Sequence, residues 1–230
     1  MPRAPQKINP LIFIDFETSG LKCDENAVTE FAGLALDPIT FDKILSYENL
    51  VKPYDSNLIY TSEAAKHSGI TKEMCEANGI YLNDLVKDII ELCQEANIHK
   101  SKTAKPIFVA HNWPFDRKWL QEIFRRTGHD LSKYVSGEVD CFGNFVPDGL
   151  DSIYFAKYLW GDITDTTTKF KLIDCCQRAG IDCVDSHNAM NDVIPLVDLM
   201  IYVISRMRSG NSDVVVQQGQ VSIHRQTFEW

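Results

Sequence analysis

The sequence lacks the features that staple a small protein together or anchor it to a membrane. Its seven cysteines are odd in number and no two are spaced C-x-x-C, so neither a complete disulfide framework nor a clustered zinc site is expected. We expect reduced, buried thiols and a cytoplasmic location. The most apolar stretch, Val193 to Ile204, contains Pro195 and Asp198 and is too short to span a bilayer. Residues 1–7 lack the apolar core of a signal peptide, so no membrane partner is expected.

The chain also lacks an excess of basic charge. It has 23 Lys and Arg against 32 Asp and Glu, a formal charge of −9, which argues against bulk electrostatic binding to nucleic acid. A nucleic-acid enzyme is still compatible with this charge, because metal ions in a site reverse the local sign. With 44% hydrophobic and 24% charged residues and no repeat, the 230 residues are typical of one globular domain.

The apolar pattern predicts an α/β protein. Three strand-like runs close together near the amino end favour an antiparallel meander, after which the apolar period becomes helical. The predicted strands are Leu11–Asp15, Val28–Leu36, Ile44–Val51 and Ile107–Ala110, with a short strand near Val139. The predicted helices are Tyr81–Ala96, Pro114–Thr127, Asp151–Leu159, Lys169–Ala179 and Ala189–Met207. We expect a domain over residues 1–208 and a tail over 209–230 that is flexible or a small hairpin.

Carboxylates stand at the ends of the buried strands. Asp15 and Glu17 are two residues apart and therefore share one side of the first strand, and Asp116 follows the strand that ends at residue 110. His187 and Asp192 stand at the start of the last helix. Each fragment alone is typical of a helix cap or a solvated acid. Taken together, four hard carboxylates favour Mg²⁺ or Mn²⁺, and two such ions about 3.5–4 Å apart stabilise an in-line phosphoryl displacement.

Three motifs in this order resemble the DnaQ-like 3′→5′ exonucleases of the DEDDh type, the family of the proofreading subunit of bacterial DNA polymerase III and of RNase T. The motifs are Phe13-Ile-Asp-Phe-Glu-Thr-Ser-Gly-Leu21, Ala110-His-Asn-Trp-Pro-Phe-Asp116 and His187-Asn-Ala-Met-Asn-Asp192. The resemblance covers roughly residues 9 to 207. The sister DEDDy type would place Tyr where Asn188 stands, so the sequence excludes that variant.

The resemblance implies an RNase H-like fold, with a mixed five-stranded sheet of three antiparallel strands followed by parallel strands, flanked by helices. It implies that Asp15 bridges two Mg²⁺ (or Mn²⁺) ions and that Glu17 and Asp192 hold the first. It implies that Asp116 binds or orients the second ion and that His187 is the general base on the hydrolytic water, consistent with an unperturbed pKa near 6.5. One departure concerns Pro195, which is easier to accommodate if the last helix starts near residue 191.

The resemblance also implies that four residues form the pocket of the terminal nucleotide. Thr18 touches the 3′ end and Leu21 wedges or stacks against the base, while Asn112 and Phe115 border the pocket. Core packing is an equally open interpretation for Leu21 and Phe115.

The expected activity is metal-dependent hydrolysis of single-stranded DNA from the 3′ end, releasing nucleoside 5′-monophosphates. Two alternatives stay open: the same chemistry on RNA 3′ ends, or a non-catalytic RNase H-like module that binds nucleic acid or a polymerase. Expected partners are single-stranded DNA or RNA 3′ ends and a DNA polymerase or another replication or repair protein. A structural Ca²⁺ site is disfavoured because the chain lacks a D-x-D-x-D-G loop.

Overall fold

A mixed sheet organises the protein, whose computed structural model describes residues 9–98, 104–161, 170–183 and 188–209, with side chains as far as Met207. The strands are β1 (Leu11–Thr18), β2 (Val28–Leu36), β3 (Lys43–Leu50), β4 (Ile107–Ala110), β5 (Gly137–Val139), β6 (Phe145–Pro147) and β7 (Gly149–Asp151). The helices are α1 (Ser62–Ser68), α2 (Lys72–Asn78), α3 (Leu82–Ala96), α4 (Trp113–Thr127), α5 (Ser152–Trp160), α6 (Leu172–Ala179) and α7 (Ala189–Ser209), with a 3-10 turn over Leu131–Lys133.

Five strands form the main sheet in the order β3-β2-β1-β4-β7. The β1–β2 and β2–β3 pairs are antiparallel, whereas β4 and β7 run parallel to β1. The prediction of an RNase H-like sheet, three antiparallel strands followed by parallel ones, is confirmed.

Helices cover both faces of this sheet, which explains why β1 is continuously apolar from Leu11 to Ile14. Ile12, Ile14 and Phe16 pack on one face in a core shared with α3 and α4. Phe13 points to the other face and packs in a second core with α7. Because side chains alternate along a strand, Asp15 lies on the same face as Phe13, the face that α7 covers.

Several elements differ from the prediction. The short strand at Val139 exists, but it pairs with β6 in a separate hairpin, and β7 supplies the fifth strand of the main sheet. The helix predicted from Asp151 begins at Ser152, because the Asp151 carboxylate caps it by accepting the Ile153 N–H. The helix predicted from Lys169 begins at Leu172, and Lys169 itself lies outside the described residues.

The last helix begins where the apolar pattern predicted it, and not near residue 191, the start that would accommodate Pro195 more easily. α7 begins at Ala189 and continues through Pro195 as one helix. Proline lacks an N–H and so cannot donate to the carbonyl four residues earlier, which leaves one hydrogen bond missing in the second turn. The Pro195 carbonyl meanwhile accepts a contact of 3.9 Å from the Cys176 thiol. The helix is retained because it is held by packing on the sheet.

The predicted tail falls mainly on residues 210–230, outside the described residues, so the boundary near residue 208 stays a prediction. All seven cysteines are free thiols, but the expected burial holds for only four of them. Cys75, Cys93, Cys175 and Cys176 are buried, whereas Cys23 and Cys183 are half-buried and Cys141 is exposed. Among the ranges that the structure describes, no helix combines the length and the apolar character needed to cross a membrane.

Candidate active site

Three of the predicted ligands meet where β1 ends. Asp15 and Glu17 point from the same face of β1, and Asp192 comes from the first turn of α7, which packs over that face. One carboxylate oxygen from each of the three residues lies within 4.8 Å of the other two. All three side chains are partly buried, so the cluster is reachable from solvent and yet shielded from it.

Asp116 lies close to this trio but outside it. It stands in the first turn of α4, where only 2% of its surface is exposed. Burial raises the pKa of its carboxyl, and the backbone N–H groups of Asp116 itself and of Phe16 oppose that rise. The Oδ1 atom is buried without any hydrogen-bond partner. A buried acceptor left without a donor is costly, so Oδ1 is an atom for which a cation would be the natural partner.

Charge repulsion and burial together shape the electrostatics. Burial raises the pKa of Asp15 well above its ordinary value, and the nearby carboxylates of Asp116, Asp192, Glu17 and Glu30 raise it further. Burial and the Glu30 carboxylate raise the pKa of Glu17 to about 7. Burial raises the pKa of Asp116 as well. Such a cluster disfavours its own full ionisation unless a cation compensates it.

The donor set fits a hard divalent ion. Asp15, Glu17 and Asp192 offer carboxylate oxygens at a spacing that one ion can bridge, and Asp116 adds an unpaired oxygen close by. Oxygen-only donor sets of this kind suit Mg²⁺, Mn²⁺ or Ca²⁺ and disfavour zinc, which prefers thiolate and imidazole.

A polar anchor at the start of α7 was missed from the sequence. Asn188 caps this helix, because its Oδ1 accepts the Asn191 N–H at 3.1 Å. Its Nδ2 donates to Glu30 Oε1 at 3.2 Å and to Glu48 Oε1 at 2.9 Å. Glu30 Oε2 also accepts the Ala189 N–H at 2.9 Å. Two neighbouring strands thereby hold the end of the helix that carries Asp192.

A cross-strand contact connects this anchor to the site. Glu30 lies directly opposite Glu17 in the β1–β2 register. A carboxylate at the amino end of a helix also interacts favourably with the helix dipole, which explains why the buried acid Glu30 is tolerated there. The only sequence signal for this role was the position of Glu30 in a run that is otherwise apolar.

His187, the predicted base, lies outside the described residues. The next residue along the chain, Asn188, is the anchored cap.

The four predicted substrate residues lie in different environments. Leu21 is 83% exposed and free to contact a ligand. Thr18 is buried, and its hydroxyl donates to the Gly20 carbonyl at 2.7 Å. Asn112 is exposed and has a left-handed backbone, with φ of 81°. Phe115 is half-buried and packs edge-on against Trp119.

His111, next to Asn112, has a role that the motif alone did not indicate. Its Nε2 lies 2.9 Å from the Phe170 carbonyl and its Nδ1 lies 2.7 Å from the Ser152 hydroxyl. Because a carbonyl only accepts, Nε2 carries the proton and Nδ1 accepts from the serine. Burial lowers the pKa of His111, so the ring stays neutral and ties β4 to α5 and to the chain before α6.

Residues 12–200 match the family described as Exonuclease, that of RNase T. The chain therefore belongs to the DnaQ-like exonucleases of the DEDDh type. It is a 3′→5′ exonuclease, a hydrolase of phosphodiester bonds in nucleic acid.

Individual relatives are distant. Ribonuclease T of Buchnera aphidicola subsp. Cinara cedri (strain Cc) is 23% identical over 204 residues, covering 86% of this chain and 83% of that protein. Ribonuclease T of Actinobacillus pleuropneumoniae serotype 5b (strain L20) is 20% identical over 202 residues, covering 86% and 84%. E. coli Exonuclease I in complex with a dT13 oligonucleotide shares the fold with a TM-score of 0.66 at 21% identity. That match covers 87% of this chain but only 41% of Exonuclease I, so the present chain spans less than half of its length.

Proposed function

We propose that the protein removes nucleotides from the 3′ end of single-stranded DNA with two Mg²⁺ or Mn²⁺ ions, releasing nucleoside 5′-monophosphates. One observation carries the proposal: three carboxylates from β1 and α7 come within 4.8 Å of one another, beside a buried aspartate oxygen that has no partner. Burial on this scale raises the free energy of the charged acids, and divalent cations are the compensation that suits oxygen ligands.

Each acid has a distinct place in this scheme. Asp15 receives the repulsion of all the others and would bridge the two ions, while Glu17 and Asp192 would hold the first ion. The unpaired Oδ1 of Asp116 would face the second ion, directly or through water. Bound divalent ions supply Lewis acidity, which lowers the pKa of the attacking water and stabilises the leaving oxygen.

His187 would take the proton from the attacking water, as a histidine of ordinary pKa is suited to do near neutral pH. Leu21, the most exposed of the predicted substrate residues, would contact the terminal base. Thr18 would act near the 3′ end through its backbone, because its hydroxyl is already engaged. Asn112 and Phe115 would border the terminal pocket.

RNA 3′ ends are the second candidate substrate. The two curated relatives are named Ribonuclease T, whereas the structural neighbour was captured with a DNA oligonucleotide. A contact to the 2′-hydroxyl would decide between the two substrates. A purely non-catalytic module is disfavoured because all four acids are retained. Docking to a polymerase and a cytoplasmic location stay predictions.

The test uses 5′-labelled single strands of DNA and of RNA with equal sequence. With Mg²⁺ or Mn²⁺ the labelled strand should become shorter one nucleotide at a time from its 3′ end, and EDTA should stop the reaction. Asp192→Asn should abolish hydrolysis, whereas Glu138→Gln, an exposed acid on the separate hairpin, should not change it. His187→Ala should lower kcat by roughly 10²–10⁴-fold.

Two results would contradict the proposal. Hydrolysis by His187→Ala at the wild-type rate would show that His187 is not the proton acceptor. Hydrolysis in EDTA at the same rate as with metal would show that no metal is required. Faster turnover of the RNA strand would reassign the substrate without changing the chemistry.

A further inference from the structure

An open groove of about 530 Å³ lies between α5 and the start of α6, and we name it the α5–α6 groove. Its walls include His111, Asn112, Ile153, Lys157, Phe170 and Lys171. No lining residue within the described ranges carries a carboxylate, although the chain as a whole has a formal charge of −9. The groove is therefore a local exception to the acidic character of the protein.

The α5–α6 groove opens beside the catalytic acids. Asn112 lies in its wall and immediately precedes α4, whose first turn carries Asp116. The left-handed backbone of Asn112 is held by the Asp151 carboxylate, which accepts the Asn112 N–H at 3.1 Å. Strained backbone that is held in place in this way is common at ligand sites.

Two ammonium groups and a helix end face this groove. In the part of the chain that the structure describes, neither Lys157 nor Lys171 forms an ion pair with a carboxylate. α6 begins directly after Lys171, and no side chain caps its first turn. Uncapped N–H groups at a helix start add to the attraction for an anion.

Aromatic rings accompany the cations. The Lys157 ammonium lies 5.9 Å from the ring centre of Tyr154 and 6.0 Å from that of Phe170. Tyr154 and Tyr158 are one helical turn apart on α5, with 62% and 69% of their surfaces exposed. Exposed rings alternating with cations are the arrangement by which proteins hold single strands without reading their sequence.

We propose that the α5–α6 groove binds the phosphodiester backbone of the substrate strand upstream of the scissile bond, with Lys157 and Lys171 on the phosphates and Tyr154 and Tyr158 under the bases. This proposal rests on the proposed function, because the strand must leave the catalytic acids along some surface. The lysines of the groove, and the tyrosines exposed on the adjoining surface of α5, suit that strand. Since the backbone phosphate is shared by DNA and RNA, the groove itself favours neither.

The test measures binding separately from cleavage. A labelled oligothymidylate about 12 nucleotides long is titrated by fluorescence anisotropy in Ca²⁺, between about 0.05 and 0.2 M salt. The Lys157→Gln/Lys171→Gln variant should bind on the order of tenfold more weakly at the lower salt, and its salt slope should fall by about 0.7 for each lysine. Tyr154→Ala should weaken binding by about fivefold or more.

The matched control is Lys43→Gln/Lys87→Gln. This variant changes the net charge by the same amount as the groove variant. Lys43 lies on β3, at the edge of the sheet opposite β7, and Lys87 lies on α3, which packs on the face of the sheet opposite α7. The groove proposal would be overturned by an unchanged salt slope in the groove variant, or by an equal loss of binding affinity in the control variant. Wild-type protein that binds the strand but does not hydrolyse it in Mg²⁺ would sink the proposed function while supporting the groove.

Discussion

Asp15 is the residue on which four neighbouring carboxylates act, and the cost of that position can be measured. Folding raises the pKa of Asp15 and takes that of Glu17 from an ordinary 4.5 to about 7. The folded chain therefore binds more protons than the unfolded chain between these two values. The free energy of unfolding of the metal-free protein should then fall as the pH rises from about 4.5 to about 7.

Replacing Asp15 by Asn should reverse this effect. The Asp15→Asn protein without metal should unfold at a temperature about 2–4 °C above that of the metal-free wild type at pH 7, equivalent to about 1 kcal/mol for a chain of this length. Differential scanning calorimetry in EDTA measures this rise in the unfolding temperature. Repeating the scans at several pH values checks that the rise disappears in acid, where the carboxyl groups are protonated in both states. Glu138→Gln serves as the control. An equal rise in the unfolding temperature of that variant would show that repulsion among the clustered carboxylates is not the cause.

Residue types, spacing and the family resemblance together predicted three acids that the fold brings into one cluster, Asp15, Glu17 and Asp192, while their role as metal ligands stays a prediction. The motifs placed Asp15 and Glu17 on one strand face, and the fold then brought Asp192 to them. Glu30 and Glu48 could not be found in this way, because their importance comes from facing Asn188 across the sheet. Contacts between residues about 140 or more positions apart leave no local pattern in a sequence.

At the scale of elements, the start of α7 is the most consequential junction. Glu30 accepts the Ala189 N–H and an Asn188 N–H, so its charge strengthens both hydrogen bonds. Glu30→Gln should shift the first turn of α7 and with it Asp192. Losses at residues that position metal ligands are typically 10–100-fold in activity or metal affinity.

A titration of hydrolysis against Mg²⁺ concentration measures this effect. Glu30→Gln should raise the Mg²⁺ concentration for half-maximal activity by about 10-fold or more, while the substrate KM changes little. Glu48→Gln is the matched control, since among the described residues the Glu48 carboxylate is hydrogen-bonded to the start of α7 through the Asn188 side chain alone and should have a smaller effect. If both variants titrate like the wild type, the anchor does not position Asp192.

The long helices and strands could be predicted from the period of their apolar residues, whereas the short ones could not. β2 is buried along its whole length and α3 buries one face, and both were predicted nearly to the residue. α1 and α2 have seven residues each and begin directly after Thr61 and Thr71, whose side chains cap them. Helices of two turns are held by caps and neighbours more than by their own pattern. The three residues of β7 carry too little pattern to be recognised as the fifth strand.

At the scale of the whole molecule, metal binding and folding should be linked. A ligand that binds only the folded chain adds about 2.7 kcal/mol at 100 times its Kd. For this length that corresponds to a rise of roughly 5–10 °C in Tm on adding saturating Mg²⁺. Thermal scans with and without Mg²⁺ measure the rise, which Asp192→Asn should abolish. A wild-type Tm that does not respond to Mg²⁺ or Mn²⁺ would contradict a metal site in the folded state.

The ligands of the candidate site come from opposite ends of the domain. Asp15 lies on its first strand and Asp192 on its last described helix, with almost all other elements between them. During synthesis, the chain cannot assemble the cluster until that final helix has been made. A newly growing polypeptide therefore carries no assembled acid cluster beside cellular nucleic acid, and hydrolysis has to wait until α7 has been made and has packed on the sheet.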